Sequence, residues 1–221
     1  MDASTAKVVI VDYERGNLFS VKNACAAVGM NVVISQDPKE IAASKGIVFP
    51  GVGAFGDAMA NLKRLDLLHV LKEALANNIP FLGICLGFQL LMEEGYEHGH
   101  HKGLGFIEGA VRRFDDSKAL ANHFLKVPQI GWKKIFPAQG VSWYNTLLRD
   151  VYEGDQFYFV HSYYAEVASK AAKLSVSQFD DLEFCSSIRR GNVFGCQFHP
   201  ERSGEIGLSV YRRFKDLCEL N

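Results

Sequence analysis

The chain has 221 residues, 48% hydrophobic and 22% charged, a globular composition that excludes disorder, collagen and coiled coil as descriptions of the whole. With 24 Lys and Arg against 25 Asp and Glu, its formal charge of −1 offers no broad basic surface for phosphates, so nucleic acid is not an expected partner. Its five cysteines contain no C-x-x-C pair, and no apolar stretch is long enough to cross a membrane, so a soluble cytoplasmic protein of one domain, residues 1–221, without metal or cofactor, is expected.

The first half alternates short β-branched runs with helical patterns. KVVIVD (Lys7 to Asp12), NVVIS (Asn31 to Ser35), GIVFP (Gly46 to Pro50) and PFLGI (Pro80 to Ile84) read as strands. Helices are predicted over Asn17 to Val28, along one continuous pattern through Leu62, Leu65, Leu68, Leu71 and Leu75, and over Leu86 to Glu94. Near-continuous apolar strands between helices indicate an α/β fold with a mostly parallel central sheet flanked by helices. After a polar loop (Gly95 to Gly103) the second half turns sheet-rich. GFIEGAVRRF, FYFVHSYY, AAKLSVSQF, EFCSSIRR and NVFGCQF read as added strands. A closing amphipathic helix (Ile206 to Leu220) presents Leu208, Tyr211, Phe214, Leu217 and Cys218 on one face.

The segment Gly83-Ile84-Cys85-Leu86-Gly87 places a cysteine in G-x-C-x-G between a strand and a helix, the form of a nucleophile elbow. A sharp turn there strains the backbone and crowds its neighbours, which is why the flanking positions lack a Cβ. The helix start favours a thiolate, and the Leu86 N–H points where a tetrahedral oxyanion would form. The other cysteines, Cys25, Cys185, Cys196 and Cys218, have no such setting. A thiolate needs a proton acceptor, and His199-Pro200-Glu201 offers an imidazole with a carboxylate two residues on to fix its tautomer. Cys85, His199 and Glu201 are therefore a candidate triad. His98, His100 and His101 read as a solvated loop rather than as metal ligands. Gly51 to Gly56 matches G-x-G-x-x-G, yet it is not the first βα turn, and the next strand ends in Cys85 rather than in a ribose-binding acid. Gly51 and Gly53 suit instead a loop whose backbone N–H groups approach a ligand beside the cysteine.

Taken together, the elbow G-I-C-L-G-F-Q, the loop P-G-V-G and the late H-P-E resemble the class I glutamine amidotransferase family. Five further segments resemble its members that serve as glutaminase subunits of imidazole glycerol phosphate synthase: Pro50 to Met59, Glu93-Glu94 with Gly103 to Gly105, Val127 to Trp132, Phe159 to Tyr164, and Phe198 to Gly204. Lys133 and Arg202 depart from that pattern, where Asn and often Lys stand. The resemblance implies hydrolysis of L-glutamine by Cys85, with an oxyanion site from Leu86 and the Val52-Gly53 loop. It implies substrate contacts from Gly51, Gln89, Ser162 and Tyr163. It also implies a separate (β/α)8-barrel cyclase subunit that receives the ammonia, with Asn17, Trp132 and Arg202 as candidate contacts. Three alternatives stay open: an α/β-hydrolase with a cysteine nucleophile, a glutaminase for aminobenzoate or pyridoxal phosphate synthesis, and a silent binding module on the same fold.

Overall fold

A computed structural model describes residues 7–114 and 127–220. In chain order the elements begin with β1 (Val8–Val11), α1 (Leu18–Ala27), β2 (Val32–Ser35), α2 (Pro38–Ala42), β3 (Gly46–Gly51), α3 (Phe55–Arg64), α4 (Leu68–Ala76), β4 (Phe81–Cys85) and α5 (Leu86–Gln89). They continue with β5 (Met92–Gly95), β6 (His101–Lys102), β7 (Ile107–Arg113), β8 (Gln129–Lys134), β9 (Phe136–Pro137) and β10 (Gln156–His161). The chain then runs through β11 (Tyr163–Val167), β12 (Lys173–Phe179), β13 (Leu182–Arg190), β14 (Val193–Cys196) and α6 (Gly204–Glu219).

Eight strands form the central sheet in the order β2-β1-β3-β4-β14-β13-β12-β9. The first five run parallel, and the last three join antiparallel. Alternation along the apolar runs divides the core between the two faces. Val9, Val11, Ile47, Phe49 and Phe81 pack with Leu62, Leu71, Leu75 and Phe88 of the helices on one side. Val8, Ile10, Val48, Leu82 and Ile84 pack with Val21, Tyr211 and Phe214 of α1 and α6 on the other. Since helices cover both faces, every residue of β1, β3 and β4 is buried, which explains why those strands read as unbroken apolar runs. A four-stranded sheet (β11-β7-β5-β6) and a ribbon of β8 and β10 supply the antiparallel additions.

Four local predictions are corrected. The helical pattern through Leu62 and Leu75 is two helices, because the chain turns at Asp66, which takes a left-handed φ of 56°. The helix expected over Leu86 to Glu94 stops after one turn, since Met92 to Gly95 pair with β6 and β7 instead. A short apolar run such as Leu90-Leu91-Met92 suits either structure, and only the partner strands decide. FYFVHSYY is split at Ser162 into β10 and β11, which belong to different sheets. The predicted loop Gly95 to Gly103 contains the short strand β6, while α2 and β8 arise where no element was read.

Candidate active site

The site is built where the parallel strands end. Register alone places Gly51 beside Cys85 and Cys196 beside Ile84, so the ends of β3, β4 and β14 meet on one edge of the sheet. Cys85 sits there with φ 54° and ψ −107°, a strained conformation that costs about 1–3 kcal/mol in a non-glycine residue. The elbow closes only because Gly87 carries no side chain: a Cβ there would stand 1.7 Å from the Phe49 carbonyl oxygen. Gly51 is crowded in the same way, with a Cβ placed 2.0 Å from the Tyr13 hydroxyl.

His199 follows β14, and its backbone is clamped to β10. Its N–H donates to the Tyr158 carbonyl at 2.8 Å, and the Ser203 hydroxyl donates to the His199 carbonyl at 2.7 Å. The imidazole Nδ1 bonds Glu201 Oε1 at 2.7 Å, with both side chains buried. Burial by itself would lower the imidazole pKa. Negative charge on Cys85, followed by the Glu201 carboxylate, outweighs it and lifts the value from 6.5 to about 10. The other ring nitrogen, Nε2, makes no hydrogen bond of normal geometry among the described residues, although the electrostatic influence of Cys85 reaches the ring. The acid bonded to the imidazole therefore follows it in the chain, whereas α/β-hydrolases run nucleophile, acid, histidine.

A cavity of about 410 Å³ opens at Cys85 and is lined by Val52, Gly53, Leu86, Gln89, Glu97 and Tyr163 among others, with Ser162 also on its wall. Another, of about 320 Å³, is bordered by Val8, Met30, Lys45 and Lys215 and holds none of the triad. Gln89 is not a solvated helix residue. It is 5% exposed, and its Nε2 donates to the Tyr163 carbonyl at 2.8 Å and to Gln197 Oε1 at 3.0 Å. Gln197 in turn donates from Nε2 to Cys85 Sγ at 3.6 Å.

Gln197 and Glu97 escaped the sequence reading. Gln197 had a signal: an amide directly after the apolar run of β14 and two residues before His199, and the fold buries that amide completely. Glu97 had none, because only the β5–β6 connection brings its carboxylate to the cavity, where Oε2 accepts the Phe55 N–H at 2.8 Å. The loop after β3 holds a further surprise. The Val52 N–H donates to the Arg15 carbonyl at 3.3 Å, while Gly53 takes a φ of 103°.

The sequence-predicted docking residues fall into two settings. Trp132, 51% exposed, meets Tyr158 edge-on, and the Arg202 guanidinium lies over the Tyr158 ring at 4.2 Å, so these side chains share one surface. The Asn17 side chain instead caps α1, accepting the Ser20 N–H at 3.3 Å. Of the loop histidines, His100 pairs with Glu94 at 2.8 Å, and His101 packs against Gly56.

A family model described as glutamine amidotransferase class I matches residues 9–215. The chain belongs to this family. Within it, the chain is 43% identical to a Streptococcus sanguinis protein named imidazole glycerol phosphate synthase subunit HisH, over 95% of both chains. It is 42% identical to the protein of the same name from Moorella thermoacetica, over 95% of this chain and 94% of that one. Its fold matches the structure of PurLQS from Thermotoga maritima with a TM-score of 0.72 and 19% identity, over 98% and 99% of the two chains. The folded chain brings the elbow, the P-G-V-G loop and the H-P-E segment together at one edge of the sheet.

Proposed function

We propose that this chain is the glutaminase subunit of an imidazole glycerol phosphate synthase, acting as a single cytoplasmic domain on L-glutamine. The reading is carried by one arrangement: a strained cysteine at the mouth of a cavity, with a hydrogen-bonded imidazole–carboxylate pair at the same sheet edge. Cys85 thiolate adds to the side-chain amide carbon of glutamine, and the oxyanion is held by the Leu86 N–H and an N–H of the Val52-Gly53 loop. The His199 imidazolium gives its proton to the departing nitrogen, ammonia leaves, and a γ-glutamyl thioester remains. Water, deprotonated by His199, then attacks the thioester; glutamate is released and Cys85 is restored as thiolate. Glu201 holds the imidazole in place and balances its charge throughout. Gln197 supports the sulfur through its Nε2, and Gln89 anchors Gln197. The Glu97 carboxylate and the Ser162-Tyr163 backbone suit the ammonium and carboxylate ends of the substrate, which must be matched by fixed charges and dipoles.

Ammonia in water at neutral pH is mostly protonated and no nucleophile, so its producer must hand it on directly. The receiver in this reading is a separate (β/α)8-barrel cyclase, which yields imidazole glycerol phosphate and aminoimidazole carboxamide ribotide. The exposed apolar side chains Ile130 and Trp132, with Arg202 beside them, support a docking face there. Because the Val52 N–H is engaged by Arg15, the loop must turn before it can face an oxyanion, which suits an enzyme switched on by its partner. The test supplies glutamine labelled on its amide nitrogen to the chain with a candidate cyclase. Label is expected in the imidazole product, and Cys85→Ala is expected to abolish it. Glutamate formation without transfer would remove the partner assignment, equal rates with and without cyclase would remove the switch, and no glutamate would remove the whole reading.

A further inference from the structure

Tyr13 lies in the turn between β1 and α1, and it is the residue against which the loop after β3 is built. Its ring packs on Phe49 with centroids 4.9 Å apart, and its side chain is 1% exposed. Its hydroxyl makes no hydrogen bond to any of the described residues. A buried hydroxyl without a partner costs about 1–3 kcal/mol, enough that a phenylalanine would serve this core better unless the oxygen has work in another state. The oxygen touches the loop that carries the candidate oxyanion donor, since a Cβ on Gly51 would lie 2.0 Å from it and 2.9 Å from Leu86 Cβ. Burial, and after it negative charge on Cys85, raises the pKa of the phenol, which stays a protonated donor.

The Gly51–Val52 peptide is a planar group whose N–H and carbonyl point in opposite directions. At present its N–H is taken by the Arg15 carbonyl. Turning that N–H toward the cavity turns the Gly51 carbonyl toward the Tyr13–Arg15 turn, where it would confront the Arg15 carbonyl and lose its solvation. Two buried donors in that turn have no partner among the described residues, the Tyr13 hydroxyl and Arg15 Nε, and the hydroxyl is the one in contact with Gly51. We propose that Tyr13 is a positioning residue whose hydroxyl donates to the rotated Gly51 carbonyl and so holds the Val52 N–H in the oxyanion-binding orientation.

This rests on the glutaminase reading, and the experiment separates the two. Tyr13→Phe removes only the oxygen. It deletes an unsatisfied group from the resting fold, so the variant should melt no lower than the parent. With the hydroxyl acting as proposed, kcat for glutamine falls about tenfold, the effect of one hydrogen bond on the competent population, while KM is unchanged. Labelling of Cys85 by iodoacetamide, a displacement with no oxyanion, should proceed at the parental rate. A folded variant with parental kcat would overturn the proposal, and so would a loss of kcat matched by an equal loss in iodoacetamide labelling, which would mean a disturbed nucleophile. A parent that does not hydrolyse glutamine would instead remove the function on which it rests.

Discussion

Replacing Gly87 by alanine tests the elbow where its geometry is least forgiving. A Cβ at this position would lie 1.7 Å from the Phe49 carbonyl oxygen and 2.8 Å from its carbon, while real Cβ contacts stay beyond 3.0 Å. The obstacle is backbone, so no rotamer change relieves it, and β3 and α5 must separate by about 1.3 Å. Overpacking of this kind costs about 1–3 kcal/mol, and the upper end applies because a strand has to move. For a chain of this size that corresponds to a fall in Tm of about 6–12 °C. Phe49 leads directly into the Gly51–Val52 loop and Gly87 lies two residues beyond Cys85, so the same displacement pulls the proposed oxyanion donors away from the sulfur. A misplacement near 1 Å costs roughly 100-fold in rate. Glutamate release and thermal melting are measured together, with Gly140→Ala as the control. Gly140 has a φ of 75° and open space around it, so it should lose about 1 kcal/mol from backbone strain and none of the activity. A Gly87→Ala enzyme that melts and turns over like the parent would refute the close approach of β3 and α5 as the basis of the site.

Gln197→Leu removes the amide that donates to Cys85 Sγ at 3.6 Å; iodoacetamide labelling of Cys85 at neutral pH should slow about 10-fold or more, and an unchanged rate would deny the amide any part in supporting the sulfur. Glu201→Gln withdraws one of the charges that lift His199 to about 10, so the imidazole should titrate lower by NMR and glutaminase turnover should fall about 100-fold or more. Because the folded value is raised above 6.5, the stability contributed by the parental imidazolium is complete below pH 6.5 and is lost as pH rises through about 10. In Glu201→Gln that alkaline loss should be smaller and should end at lower pH in urea unfolding. His161 has the opposite sign: burial, against a bond from Nδ1 to the Tyr163 carbonyl at 2.8 Å, brings it down to about 4. Its contribution to stability is therefore present above 6.5 and lost as pH falls through 4, and His161→Asn should flatten the acid limb of urea midpoints; identical limbs would contradict a buried neutral ring.

What could be read from the order of residues was whatever local chemistry makes costly to vary. Gly87 after Cys85 marks a backbone approach with no room for a Cβ and Gly83 a tight one, and His199-Pro200-Glu201 keeps an acid beside an imidazole within one short turn. Strands β1 to β4 were legible because burial on both faces demands an unbroken apolar run. Segments whose pattern suits more than one neighbour were not legible. Leu90 to Gly95 became a strand only because β6 and β7 offered hydrogen bonds, and the leucine repeat from Leu62 to Leu75 broke at Asp66 with no warning in its periodicity. Sequence by itself thus singled out the candidate nucleophile, base and acid, together with the α/β layering that carries them. Tertiary structure alone decided that Gln197 reaches the sulfur, that Glu97 faces the cavity, and that the Val52 N–H is occupied by Arg15, because these are meetings between segments 37 to 112 residues apart. Such meetings depend on strand register and loop path, which leave no trace in the spacing of nearby residues.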